Sequence, residues 1–202
     1  MLIGISLGPG DPELMTIKAI AALKHCPKVF VPGEMAAELV RPYCAPEILD
    51  FPMIKDEEEL ERIWRKNADR VAAAASSGPA AFACMGDVNT FSTFSHLARV
   101  IRQNHPRIEI ETIPGVGVVP ALASRFASPL EGSFEVSDGS PVDTIIRIKA
   151  TRPRQLAEEL SRRGFEQFVL GSMLCTAEER IIREEMPERS DYFSVLLARR
   201  RR

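Results

Sequence analysis

Residues 1–23 read MLIGISLGPGDPELMTIKAIAAL, and the fold is decided there. Leu2 to Leu7 is a short apolar run of strand length, cut off by Gly8, Pro9 and Gly10. Asp11 then stands where a helix N-cap belongs, with Pro12 at the first helical position. A helix is predicted from there to about Leu23, with Leu14, Ile17 and Ile20 on one face. A buried strand, a glycine-bearing turn and a helix, in that order, make the unit from which helix-covered parallel sheets are built.

The same order recurs downstream. Strands are expected at 28–31, 47–51, 79–85 and 108–113, and helices at 36–43, 56–76, 91–104 and 118–126. The acidic start of the 56–76 helix suits the positive end of the helix dipole, and Leu60, Ile63, Trp64 and Val71 give it an apolar stripe. Residues 128–143 are rich in Pro, Gly and Ser and read as a domain connection. Beyond them, strands at 144–149, 167–171, 179–183 and 192–197 and a helix at 154–163 predict a mixed sheet. The expected architecture is α/β with two domains, 1–127 around a parallel sheet and 128–202 around a mixed one.

Composition sets the broad class. The chain has 202 residues, 45% hydrophobic and 27% charged, so a core can form without a disulfide or metal staple. A net charge of -2 argues against nucleic acid as the main partner, and the basic end Arg199–Arg202 reads as a solvated tail. Cys26, Cys44, Cys84 and Cys175 show neither CxxC nor zinc spacing, so free thiols in a reducing cytoplasm and no metal site are expected. The first residues lack a basic region and a long apolar stretch, so no signal peptide is expected. No run of about 18 apolar residues exists, so neither is a membrane span.

Three strand-to-helix turns carry the chemistry. The first is GPGDP at 8–12, where glycines let the backbone approach a ligand at the C-terminal edge of the sheet. A tight turn with a capped helix accounts for the same residues. The turn is neither GxGxxG nor a P-loop, so a phosphate cradle is not indicated. The second is CMGDVNTFSTF at 84–94, in which Gly86 and Asp87 offer backbone access and an acceptor for a ligand hydroxyl or amine. Thr90, Ser92 and Thr93 add hydroxyls, although Asn89 or Thr90 could equally serve as an N-cap. The third is IPGVGV at 113–118. Three such turns on one sheet can face one crevice.

These motifs resemble those of the tetrapyrrole methylase family, the S-adenosylmethionine (SAM)-dependent enzymes of cobalamin and sirohaem synthesis. GPGDPELMT at 8–16 is similar to the family opening GPGDPxLLT, and GDVNTFSTF at 86–94 to GDPxxYSTF. ETIPGV (111–116), SPLEGSFEV (128–136), IIRIKA (145–150) and CTAEERI (175–181) resemble one branch, the precorrin-2 C(20)-methyltransferases. The resemblance implies two α/β domains with SAM in the cleft between them, a cytoplasmic homodimer, and S-adenosylhomocysteine as product. By position, Pro9, Met85, Gly86, Asp87, Thr90, Gly117, Val118, Lys149 and Gly171 would contact SAM, with Ser92 and Thr93 as neighbours. Gly10, Asp11, Arg125 and Arg147 would receive the polycarboxylate substrate, with Lys149 and Arg152 as further cations. Arg147 and Lys149 lie two apart in a strand and should face one side.

The implied reaction is methylation of precorrin-2 or cobalt-factor II at ring carbon 20, any cobalt arriving inside the substrate. Other readings are another corrin position, a sirohaem precursor, diphthamide, or a non-catalytic SAM-binding homologue. No acid–base dyad or nucleophile stands out, so no catalytic residue is assigned. Catalysis is expected to be alignment of an electron-rich carbon with an activated methyl. Val88 replaces the family's usual Pro, which should loosen its loop, and Phe91 replaces Tyr, losing a hydroxyl. Gly117 and Val118 stand where Thr or Ser with a small neighbour is commoner, and the 137–143 connection is shorter than the family norm.

Overall fold

The structure is a computed structural model that describes every residue except Met53, Lys55, Ser128 and Arg202. The end of the basic tail (Arg202) and the first residue of the expected domain connection (Ser128) thus lie outside the described residues. The chain divides into two compact units, Met1–Phe134 and Glu135–Arg202.

In the first unit a parallel sheet is built from β1 (Leu2–Ser6), β2 (Lys28–Val31), β3 (Glu47–Ile48), β4 (Ala80–Cys84) and β5 (Ile110–Ile113). Their order is β3-β2-β4-β1-β5. Buried on both faces, β1 and β4 read as near-continuous apolar runs rather than alternating ones. One face carries Leu2, Phe82 and Cys84 against α3 (Glu57–Ser77) and α4 (Thr93–Asn104). The other carries Ile5, Leu7, Ala81 and Ala83 against α1 (Ile17–His25) and α2 (Glu34–Val40). The connection leaving β1 runs toward β2 on one side of the sheet, and that leaving β4 runs toward β5 on the other. The topological switch point therefore lies between β1 and β4, where open α/β sheets bind ligands.

The expected continuous helix over 12–23 is broken. The Asp11 carboxylate accepts the Glu13 N–H and caps only a 3₁₀ turn, Pro12–Leu14. Met15 is extended and buried, and α1 starts afresh after Thr16, whose hydroxyl accepts the Ala19 N–H at 3.1 Å. The cause is close packing: the chain folds Leu14 back over Gly8, where a Cβ would lie 2.9 Å from the Leu14 carbonyl oxygen. The buried face is accordingly Ala19 and Leu23, and Ile17 is 88% exposed. Since Thr16 satisfies an otherwise orphaned donor, Thr16→Ala is expected to cost about 1 kcal/mol in urea unfolding.

The α3 boundaries follow the sequence expectation, with Asp56 accepting the Glu59 N–H as N-cap. Leu60, Ile63 and Trp64 are half-buried, while Ala68, Val71, Ala72 and Ala75 form the fully buried stripe. The β3 strand is shorter than expected, and α2 starts and ends earlier. The α4 cap is Ser92, not Asn89 or Thr90.

The second unit holds β6 (Thr144–Ile148), α6 (Pro153–Arg162), β7 (Gln167–Ser172), β8 (Arg180–Ile182) and β9 (Ser194–Arg199). The strand order is β6-β9-β7-β8 and every pairing is antiparallel, rather than mixed as the sequence suggests. The links from β7 to β8 and from β8 to β9 contain no helix, and a parallel pair needs a crossover of that kind. The α6 residues Leu156, Ala157 and Leu160 pack on Phe168, Leu170, Leu196 and Ala198 of one sheet face.

Candidate functional site

At the switch point the loops leaving β1 and β4 are tied together. The Gly86 N–H donates to the Gly8 carbonyl at 2.7 Å, and the Gly8 N–H donates to the Gly86 carbonyl at 3.2 Å. Both glycines adopt positive φ, +72° and +71°, a region that a side chain disfavours. The loop leaving β5 joins them through Gly115: a Cβ there would lie 2.5 Å from the Ser6 Cβ and 3.3 Å from the Gly86 carbonyl oxygen.

Asp87 fastens this junction. Its Oδ2 accepts the Gly115 N–H at 3.0 Å and the Ser6 hydroxyl at 3.4 Å. Its Oδ1 accepts the Asn89 N–H at 2.9 Å and lies 3.5 Å from the Thr90 hydroxyl. Both oxygens are thus engaged by the protein itself, so Asp87 ties the end of β1 to two loops more than it offers a free acceptor. Ser6 is fully buried, and its Oγ accepts the Val88 N–H at 3.0 Å. A proline at 88 could not donate that bond. The expected loosening at Val88 is therefore not seen: the side chain is 1% exposed and its N–H is held.

Around this junction Pro9, Gly10 and Asp11 are exposed on one lip, and Met85 and Gly86 are half-buried on the other. The Met85 Cε lies 3.4 Å from where a Cβ on Gly10 would be, and the space beside Gly86 is open. The rim thus combines accessible backbone with a polarisable thioether. Gly117 follows Gly115 and stands at the N-cap of α5 (Val118–Arg125) with no side-chain cap, and a Cβ there would meet nothing within 4 Å. Gly117→Ser is therefore expected to raise stability by a few tenths of a kcal/mol, read as a shift in the urea midpoint.

Other expected site residues are placed differently. Ser92 points inward: its Oγ accepts the Phe94 N–H at 3.0 Å and lies 3.1 Å from the Cys84 Sγ. Thr93 is half-buried as the first residue of α4. Phe91 is exposed at φ 47°. Arg125 ends α5, about 10 Å along the helix from Val118. Burial pushes the Cys84 thiol above its ordinary pKa against the opposing Ser92 hydrogen bond. Iodoacetamide at pH 8 is expected to label exposed Cys175 well before Cys84, a sequence readable by peptide mass mapping.

In the second unit, Arg147 reaches Glu159 of α6 at 3.9 Å. Lys149 follows β6 directly at φ 56°, with its ammonium 5.1 Å from the Tyr192 ring centroid. Gly171 is buried on β7, where a Cβ would lie 2.7 Å from Leu174 Cδ2, so the Leu174 side chain occupies the space above it. Two further residues belong to the junction beyond those expected from the sequence: Ser6, which ties Asp87 to Val88, and Gly115, which the sequence marks only as part of a turn. The signal for Ser6 was a lone hydroxyl inside the otherwise apolar run LIGISL.

Comparison with known proteins adds to this geometry. Residues 1–188 match the family model described as Tetrapyrrole (Corrin/Porphyrin) Methylases. The chain is 31% identical over 136 residues to the probable cobalt-precorrin-2 C(20)-methyltransferase of Methanocaldococcus jannaschii, covering 63% of this chain and 57% of that protein. It is 31% identical over 140 residues to the cobalt-precorrin-2 C(20)-methyltransferase of Salmonella typhimurium, covering 64% of this chain and 58% of that one. The chain thus spans under three-fifths of the length of these curated relatives. Among solved structures, that of the methyltransferase CobJ superposes with a TM-score of 0.55 at 19% identity, covering 98% of this chain and 93% of the other, a likeness of fold.

Proposed function

The chain belongs to the tetrapyrrole (corrin/porphyrin) methylases, and from that premise we propose that it is a SAM-dependent methyltransferase of corrin synthesis, acting on precorrin-2 or cobalt-factor II at ring carbon 20. The observation that carries the reading is the junction of Gly8, Gly86 and Gly115, fastened by Asp87 at the switch point of the parallel sheet.

The residues at this edge fit SAM. Its sulfonium and adenine want close backbone and a polarisable apolar surface, which exposed Pro9 and Gly10 and half-buried Met85 and Gly86 offer. Thr90, Gly117 and Val118 are assigned to the same ligand. SAM, when bound, supplies an electrophilic methyl group that needs no further activation. The protein's part is then to hold the acceptor carbon in line with that methyl and keep water out. Asp87 serves by fixing the loops rather than by moving a proton, because both its oxygens already accept hydrogen bonds. Ser92 is better assigned to capping α4 than to the ligand.

The substrate is a polycarboxylate, and cations of this chain, Arg147 among them, are assigned to receive it. A net charge of -2 disfavours a nucleic-acid partner. No helix among the described residues is long and apolar enough to cross a membrane, and the reading places the enzyme in the cytoplasm.

The homodimer belongs to the same proposal. The α5 helix buries none of its residues and presents Val118, Leu122 and, just beyond its end, Phe126 in one stripe, 65%, 56% and 73% exposed. Apolar stripes of this kind commonly cover one another between subunits. Leu122→Glu together with Phe126→Glu is expected to convert a dimer to a monomer in size-exclusion chromatography with light scattering. An unchanged mass in the double variant would remove α5 from the interface.

Incubation with SAM and either precorrin-2 or cobalt-factor II, read by mass, tests the activity. A gain of one methyl located at carbon 20 is the expected result. Methylation elsewhere on the ring would reassign the branch, and no gain with folded, SAM-bound protein would remove the reaction.

A further inference from the structure

Phe91 stands between two fixed neighbours in the loop that joins β4 to α4. On one side the Thr90 N–H donates to the Asp87 carbonyl at 3.1 Å. On the other, Ser92 is buried as the cap of α4, and its carbonyl accepts both the N–H and the hydroxyl of Ser95, at 3.0 and 2.6 Å. The link between them turns left-handed, and Phe91 takes φ 47°. Glycine or asparagine suits such a turn, whereas a bulky side chain is an outlier there. Among the described residues Phe91 is the one aromatic residue with a positive φ.

The fold gains little from the ring in return. It is 67% exposed and belongs to none of the three buried apolar clusters. Among the described residues no other aromatic ring stacks on it. A lone exposed apolar side chain needs no explanation in itself. One that is also held at a disfavoured φ does, and strain of this kind gathers where ligands are gripped. The location agrees, because Asp87, four residues earlier, fastens the loops at the switch point of the sheet.

We propose that Phe91 is a specificity-determining residue, whose outward ring is the platform on which one face of the acceptor macrocycle stacks. A phenyl face attracts another broad π-surface laid across it in an offset stack. Small ligands such as adenine are taken into enclosing pockets. A ring this open suits a ligand broader than itself. The ring alone carries the role, so the hydroxyl of a tyrosine at this position is dispensable for it. This inference rests on the reading of the acceptor as a tetrapyrrole, and it adds the residue that distinguishes a macrocycle from a smaller acceptor.

The test uses the full chain with Phe91→Gly, Phe91→Tyr and, as a control on exposed β8 of the second unit, Ile181→Ala. Urea unfolding reads stability, absorbance titration at one fixed salt concentration reads the affinity for uroporphyrin III, a stable porphyrin, and calorimetry reads SAM. Phe91→Gly should unfold at a higher urea midpoint than wild type, because glycine accepts the positive φ, and yet bind the porphyrin about tenfold more weakly. Phe91→Tyr should keep the wild-type porphyrin affinity, as should Ile181→Ala, and SAM affinity should be the same in all four proteins. An unchanged porphyrin Kd in folded Phe91→Gly overturns the inference. So does a lower urea midpoint in that variant, which would give the ring to the fold, or an equal loss in Ile181→Ala, which would mean unspecific adsorption. A loss confined to SAM overturns it too, since the ring would then serve the cofactor. Wild-type protein that binds SAM and no porphyrin removes the platform alone. Wild-type protein that binds neither removes the methyltransferase reading and the platform with it.

Discussion

Asp87→Ala is expected to weaken SAM binding about a hundredfold and to destabilise the protein by about 3 kcal/mol. The carboxylate joins the end of β1 to the loops after β4 and β5. Its Oδ2 holds the Gly115 N–H and the Ser6 hydroxyl, and its Oδ1 holds the Asn89 N–H. Removing it leaves these donors without their acceptor, two of them part-buried. Hydrogen bonds to a charged group contribute about 1.5–3 kcal/mol each, so even partial rearrangement leaves a large loss. Asp87→Asn is the informative companion. It keeps one oxygen, so one loop stays tied while the amide N–H₂ faces a donor from the other. Its stability and affinity should fall between wild type and Ala, as measured by urea unfolding and calorimetry. Equal affinities in all three proteins would mean that the junction does not shape the SAM site.

Gly115→Ala is expected to have the second largest effect. The added Cβ would sit 2.5 Å from the Ser6 Cβ and 3.3 Å from the Gly86 carbonyl oxygen, so β1 and the β5 loop must part. Overpacking of this kind costs about 1–3 kcal/mol, and it also draws the Gly115 N–H away from Asp87. A double-mutant cycle with Ser6→Gly separates the two effects. Ser6→Gly alone removes the hydroxyl that serves Asp87 and Val88 and should destabilise. In the combined variant the clash is gone, so its loss should be smaller than the sum of the single losses. Strict additivity would show that the close approach of Gly115 to Ser6 is not what limits the site.

Much of the first unit is legible in its sequence for a plain reason. Strands such as AAFAC are short apolar runs bounded by Gly, Pro or polar residues, and helices such as α3 carry their own caps. Local signals and tertiary structure agree at those places. They part at 12–17, where Asp11 and Pro12 mark a helix start that lasts a single turn. The second start, Thr16, prevails because Met15 must be buried and Leu14 must cross Gly8. No local pattern reports a packing contact of that kind.

The site divides in the same way. Gly86 and Asp87 stand out as a glycine–acid pair in a strand-to-helix turn, but what Asp87 bonds to depends on strand order. Ser6 and Gly115 become neighbours only because β1 lies between β4 and β5. Ser92 looks like a ligand hydroxyl in sequence and is an N-cap in three dimensions. The Arg147–Glu159 pair likewise forms only because β6 and α6 lie side by side.

The most direct test of the account is calorimetric titration of SAM and S-adenosylhomocysteine into the purified full chain and its Asp87→Ala variant. Saturable binding of both ligands at one site per chain is expected, with affinity lost in the variant. Folded wild-type protein that takes up neither ligand would contradict it.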